Sequence, residues 1–170
     1  VLTNPLNGDK KSLRCNAIVA KASIIDSECM MTMPKSILAS VGFDAFCHCM
    51  EAFISKFGQP LTDMMSLQGM KLIGKYLVPL YEGQYSLEAW DALSWASTLG
   101  GMVIHSAGVT LPHGMEHPAS GLRNIVHGRG LAALTPVIME ETISCCAEED
   151  RKKFAEISRC IGCLLYTSPS

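Results

Sequence analysis

No excess of either charge sign marks this chain. Its formal net charge is −2 over 170 residues, with acidic and basic residues mixed rather than blocked. Nucleic acid and anionic membrane surfaces both call for a basic footprint, so neither is an expected partner. Long hydrophobic runs are lacking as well. Apolar residues reach 48%, but Gly, Ser, Asp, Lys or Pro interrupts each run short of bilayer-spanning length. No charged segment followed by an apolar one opens the chain, so no export signal is visible. A disulfide framework is also missing, although there are eight cysteines. Cys160 and Cys163 form one CxxC without a second pair, Cys145 and Cys146 are adjacent, Cys47 and Cys49 flank a histidine, and Cys15 and Cys29 stand alone. Most of them read as small buried hydrophobes of a protein in the reducing cytoplasm.

What is present is enough chain for one core, with a change of character along it. Val1 to Thr3, a dense turn signal at Asn4-Pro5-Leu6-Asn7-Gly8-Asp9 and a segment through Cys15 predict a hairpin. Ala17 to Ile25 alternates, then runs apolar, and predicts one more strand. From Pro34 to Ile161 the periodicity is helical. Pro34 suits a first helical position, Gly42 a break or close packing point, and Phe43, Phe46, Cys49, Met50, Phe53 and Ile54 a broad apolar face. Thr62 predicts the cap of a helix that Pro79 ends, and Ser86 that of an Ala-, Ser- and Gly-rich central helix to Ile104. A short helix is predicted from Pro112 to Pro118, another from about His127, and a last from Ala147 to Ile161, whose acidic first turn complements the helix dipole. Residues 162–170 break this pattern and stand open to being non-native sequence. The absence of an initiator Met and of a final cap leads to the expectation of a fragment.

Two separated segments carry the chemistry. In GFDAFCHCMEA, Asp44 and His48 are i and i+4, one turn apart on one helical face, with Glu51 and Ser55 continuing the same polar stripe. In LPHGMEHPASGLRNIVHGRG, His113, His117 and His127 place three of the five histidines within fifteen positions. One carboxylate and the three imidazoles of Asp44, His48, His113 and His127 make a ligand set suited to Fe²⁺ or Zn²⁺. Two plainer readings stand beside it. The Asp–His pair can simply hydrogen-bond on a solvated face, and the histidines can be ordinary loop and helix-end residues. Flanking Phe43, Phe46 and Phe53 put the pair beside bulk, where an ionised Asp needs a partner or a metal. His105, beside a glycine-rich turn, reads as structural.

These residues carry a resemblance. GFDAFCHCMEAFIS resembles the metal-binding helix of the iron-containing (group III) alcohol dehydrogenases, LPHGMEHPASGLRNIVHGRGLAALTPVI their second metal segment, and IIDSECMMTMPKS their strand-to-helix crossover. The likeness runs from about Val1 to Gly162. It implies a dehydroquinate-synthase-like, two-domain fold of which this chain is the mainly α part. Residues 1–26 would be the last strands of an α/β dinucleotide-binding domain and 27–161 a truncated all-helical metal-binding domain, with more helices to follow. It implies Asp44, His48, His113 and His127 as metal ligands, His117 near substrate and nicotinamide with a role in proton transfer, and Lys10 as a cofactor contact, with Lys11 nearly as good a match. No GGGS-like or GxGxxG element occurs in the chain, a departure that puts most of the cofactor half of the site outside it.

The resemblance further implies an enzyme, cytoplasmic and homo-oligomeric at full length, that moves a hydride between a small primary alcohol or aldehyde and NAD or NADP. A divalent metal would polarise the substrate oxygen. Two other functions remain open. One is a metal-dependent hydrolase with Glu51 or His117 as base. The other is a non-catalytic helical module.

Overall fold

The computed structural model describes residues 1–13 and 15–162. Cys163, and with it the CxxC pairing, lies outside the described residues, as does the tail beyond Gly162. Two short strands, β1 (Leu2–Thr3) and β2 (Lys10–Lys11), pair antiparallel with Leu2 opposite Lys11. Among the described residues six helices follow: α1 (Lys35–Ile54), α2 (Pro60–Glu82), α3 (Leu87–Ala107), α4 (Leu111–Arg123), α5 (His127–Cys145) and α6 (Glu148–Cys160). Between hairpin and helices, the described residues of 12–34 contain only single 3-10 turns at Asn16–Ile18 and Glu28–Met30.

The expected strand over Ala17 to Ile25 is not formed. Its apolar residues encouraged that reading, but a strand needs a neighbour for its backbone groups, and among the described residues none lies alongside. Gly42 does not break α1; it sits inside the helix where a Cβ would collide with the Leu77 side chain, so it marks the close approach of α1 and α2. Pro34 stands just outside α1, in extended conformation, rather than at its first position. Thr62 is likewise inside α2 rather than at its cap. The Gln59 N–H donates to its hydroxyl oxygen at 2.8 Å, and the hydroxyl donates to the Gln59 carbonyl at 2.9 Å. Neither Pro79 nor Pro118 ends its helix; α2 stops at Gly83, with φ 98°, and α4 at Asn124, with φ 52°. Ser86 does cap α3, its Oγ accepting from the Ala89 N–H at 3.1 Å.

The core lies where α1, α2 and α3 meet, around Leu38, Ile73, Leu80, Trp90 and Leu93, and continues toward α6 through Met50, Phe53, Met70 and Ile157. Helix α1 is long and apolar enough by composition to cross a bilayer, yet it packs between α2, α3 and α5. Small residues let it sit close: Gly69 of α2 faces Cys49, and Gly100 of α3 faces the Cβ of His48. That packing holds the Asp44–His48–Glu51 stripe against the start of α4 and α5.

The cysteines divide. Among the described residues only Cys47 and Cys49 are buried; Cys15, Cys29 and Cys145 are exposed, which corrects the expectation that most would be core residues. Burial pushes both the Cys47 and Cys49 thiols up to about 12. Because the thiolate is the nucleophile, iodoacetamide at pH 8 is expected to label the exposed cysteines of the folded protein and to leave Cys47 and Cys49 unmodified until denaturant is added. Peptide mass spectrometry reads this directly, and equal labelling rates would contradict the packing of α1.

Candidate metal centre

Three imidazoles from three helices converge on one carboxylate oxygen. Asp44 Oδ1 lies 3.3 Å from His48 Nε2, 3.3 Å from His113 Nε2 and 3.5 Å from His127 Nε2. Asp44 and His48 come from successive turns of α1, His113 from the first turn of α4, and His127 opens α5. The imidazoles surround the carboxylate without crowding. His48 stacks on His113 with ring centroids 4.9 Å apart, and His127 meets His113 edge-on at 5.2 Å. One side of the cluster is open, since Asp44 and His48 each retain 23% exposure and His127 28%, against 3% for His113.

Two polar atoms at the centre of the cluster are buried and lack a hydrogen-bond partner: Asp44 Oδ1 and His113 Nε2. They face one another without the alignment a hydrogen bond needs. A divalent cation would satisfy both, as neutral imidazole nitrogens and a carboxylate oxygen are the donors that Fe²⁺ and Zn²⁺ accept. The opposite edges of two rings are held by carboxylates. Glu51 Oε1 accepts from His113 Nδ1 at 2.6 Å, and Glu116 Oε2 is hydrogen-bonded to His127 Nδ1. With Nδ1 carrying the proton, each Nε2 is left free to bind a metal. The residues therefore fit such an ion.

Electrostatics follow the same geometry. Burial works to raise the Asp44 carboxyl, but His113 and the charges of His48 and His127 outweigh it and hold it below the usual range. Burial works to lower His113, yet the Asp44 and Glu51 carboxylates on either side raise it to about 9, so without an ion its Nε2 carries a proton that a bound cation would displace. For His48 burial wins over the nearby Asp44, and its proton affinity falls. His117 also falls, through burial and then the positive charge of Lys10. Its ring lies 5.7 Å from that of His113 and 5.4 Å from that of His127, beside the cluster and outside the set around Asp44.

Of the two candidate lysines, Lys10 reaches the site. Its Nζ donates to Ser120 Oγ at 2.6 Å and stands 3.5 Å from Glu116 Oε2 and 3.4 Å from His127 Nδ1. Lys11 points away and pairs with Asp9 at 2.6 Å. Glu116, His117 and His127 also lie close enough to share an ion, but the Lys10 ammonium already sits against two of them, Glu116 and His127. Phe53 and Trp90, at 2% exposure each, belong to the core and line no cleft. His105 is exposed at the end of α3. Glu51 is fully buried, and its second oxygen accepts from the Thr110 N–H at 2.6 Å and hydroxyl at 3.2 Å. It has no free oxygen with which to act as the base of a hydrolase. Sequence reasoning passed over Glu116 and Ser120; the available signal was the spacing of Glu116 three residues after His113, on the same face of α4.

The comparisons with known proteins point one way. The model of the Fe-containing alcohol dehydrogenase family, C-terminal, matches residues 38–169. Alcohol dehydrogenase 4 of Saccharomyces cerevisiae is 28% identical over 162 residues, covering 95% of this chain and 42% of the yeast protein. Sulfoacetaldehyde reductase of Bilophila wadsworthia is 37% identical over 120 residues, 66% of this chain and 31% of that protein. Among solved structures, an archaeal halo-thermophilic alcohol dehydrogenase from a Red Sea brine pool superposes with a TM-score of 0.90 at 29% identity, covering 94% of this chain and 40% of that one. An iron-containing alcohol dehydrogenase of Thermotoga maritima does so with a TM-score of 0.72 at 30% identity, over 81% of this chain and 37% of that one. The chain thus spans about two fifths of the length of the yeast relative. With that coverage, and with a helical fold shared with these structures, the chain belongs to the iron-containing alcohol dehydrogenase family and corresponds to its C-terminal part.

Proposed function

We propose that this chain carries the metal-binding half of the active site of an NAD(P)-dependent alcohol dehydrogenase acting on small primary alcohols or aldehydes. The observation that carries the reading is the ring of three imidazole Nε2 atoms around Asp44 Oδ1, open to solvent on one side, in a member of this family. Asp44, His48, His113 and His127 hold the ion, Fe²⁺ in the first instance and Zn²⁺ as the substitute. When bound, the ion supplies Lewis acidity toward the substrate oxygen. Asp44 contributes the one negative charge of the set, so the centre keeps net positive charge. His117, neutral at physiological pH because its proton affinity is depressed, takes a proton at its ring nitrogen from the alcohol side and returns it to the aldehyde side. Lys10, whose ammonium stands 3.4 Å from His127 Nδ1, serves as the cofactor contact. Nicotinamide binding itself rests mainly on a phosphate-anchoring element beyond these 170 residues, in a cytoplasmic homo-oligomer.

The test uses the full-length protein loaded with iron or zinc and assayed for alcohol-dependent NADH or NADPH formation. His48→Ala is expected to lower metal content and turnover together, whereas His117→Ala lowers turnover with metal content retained. The isolated 170-residue chain is expected to bind the ion and to show no turnover, because hydride transfer requires a nicotinamide held at near-contact distance. A loaded full-length protein inert toward a series of primary alcohols and aldehydes with both cofactors would overturn the reading.

A further inference from the structure

The two carboxylates behind the centre are unusual for what they cost. Glu51 and Glu116 are both completely buried, and a buried carboxylate is retained only where its partners compensate for lost water. Their partners are arranged in one pattern. Glu51, on α1, binds the ring of His113, on α4; Glu116, on α4, binds the ring of His127, on α5. Each carboxylate thus reaches forward to the next helix that supplies an imidazole. Each is also fixed from behind. Glu51 takes the N–H and hydroxyl of Thr110, the residue just before α4, on its other oxygen. Glu116 takes Lys10 from the hairpin on the same Oε2 that binds His127, its buried Oε1 having no hydrogen-bond partner among the described residues. The cradle of Glu116 is tight: a Cβ on Gly130 would fall 2.9 Å from its Cγ and its Oε1. His48 differs, for among the described residues nothing hydrogen-bonds to its Nδ1.

We propose that Glu51 and Glu116 are positioning residues of the metal centre. Each fixes the tautomer and ring angle of one histidine, so that His113 and His127 are clamped donors and His48 is an unclamped one. The inference rests on the reading of the cluster as a metal site. Neither carboxylate touches the ion or the reacting atoms; both act through a ring.

The experiment uses full-length protein, first wild type, then Glu51→Gln, Glu51→Ala, Glu116→Gln and Glu116→Ala, each titrated with Co²⁺ against a competing chelator. Affinity and the visible absorption of the bound cobalt are both read. Each Ala variant is expected to lose roughly 10–100-fold in affinity and to show a changed cobalt spectrum, while each Gln variant, which keeps an acceptor for Nδ1–H but not the charge, shows a smaller change in both. If an Ala variant fails to fold, the Gln variant decides, since loss of charge with retention of the acceptor still shifts the cobalt spectrum under this proposal. Wild-type affinity and spectrum in all folded variants, with only thermal stability lowered, would overturn the positioning role. Failure of the wild-type protein to bind cobalt at all would instead overturn the metal centre beneath it.

Discussion

Asp44→Asn is expected to strip the centre of its ion. Asp44 Oδ1 lies within 3.5 Å of all three Nε2 atoms, and its carboxylate carries the set's only negative charge. The amide is nearly isosteric, so the helix and its packing should survive; what is lost is charge. Removing one partner of a buried charged arrangement costs about 3–5 kcal/mol, which at about 1.4 kcal/mol per factor of ten is a drop of roughly two to three and a half powers of ten in affinity. Metal analysis of full-length protein after dialysis, with circular dichroism as the control for folding, reads the result. A folded variant that retains iron or zinc at wild-type occupancy would show that Asp44 is no ligand.

Gly128→Ala should be the most damaging single methyl group near the site. Gly128 follows His127 in the first turn of α5 and is buried against α1, where an added Cβ would fall on the carbonyl oxygen of Ser40 and 2.7 Å from its carbonyl carbon. Backbone cannot rotate aside as a side chain can, so α5 must move away from α1. Overpacking of this kind costs about 1–3 kcal/mol or more, and for a chain of this size each kcal/mol lowers Tm by roughly 2–4 °C. Moving the start of α5 also moves His127, so metal affinity should fall with stability. Gly101→Ala is the matched control. Its Cβ would meet nothing within 4 Å, and in a helix interior the change should be neutral or stabilising by up to about 1 kcal/mol. Equal melting temperatures for the two variants would refute the close approach of α1 and α5.

What could be read in advance was whatever local spacing determines. The i, i+4 relation of Asp44 and His48, the Ser86 cap and the acidic first turn of α6 all depend on residues within one or two turns, and each appears where the periodicity placed it. Errors arose where a local signal was outvoted from a distance. Pro79 and Pro118 are helix breakers in isolation, yet α2 and α4 run through them because packing on neighbouring helices outweighs one missing hydrogen bond. The apolar stretch before Asp26 had strand-like composition and no strand to pair with. Glu51 was visible on the polar stripe of α1, but nothing along the chain says that its partner is His113, sixty-two residues on. Glu116 was harder still, since a glutamate between two histidines on a short helix ordinarily faces water. Only the approach of α5 and of the hairpin turns it inward.

The packing of α1 also sets how much chain must be gathered before the cluster can exist. Helices α1, α2 and α3 are consecutive in the chain, are joined only by residues 55–59 and 83–86, and make the most extensive contacts with one another. Such near-neighbour contacts close early and fast, because little loop entropy opposes them. His113 and His127 arrive on helices that come later in sequence and pack mainly on each other and on α1. Asp44, His48 and Glu51 thus lie on a helix held by near-neighbour contacts, whereas their meeting with His113 and His127 is among the longer-range contacts of the chain, the kind whose loop entropy is largest. The ring closes across a sequence separation of sixty-two residues or more between these α1 residues and each of the two histidines that complete it.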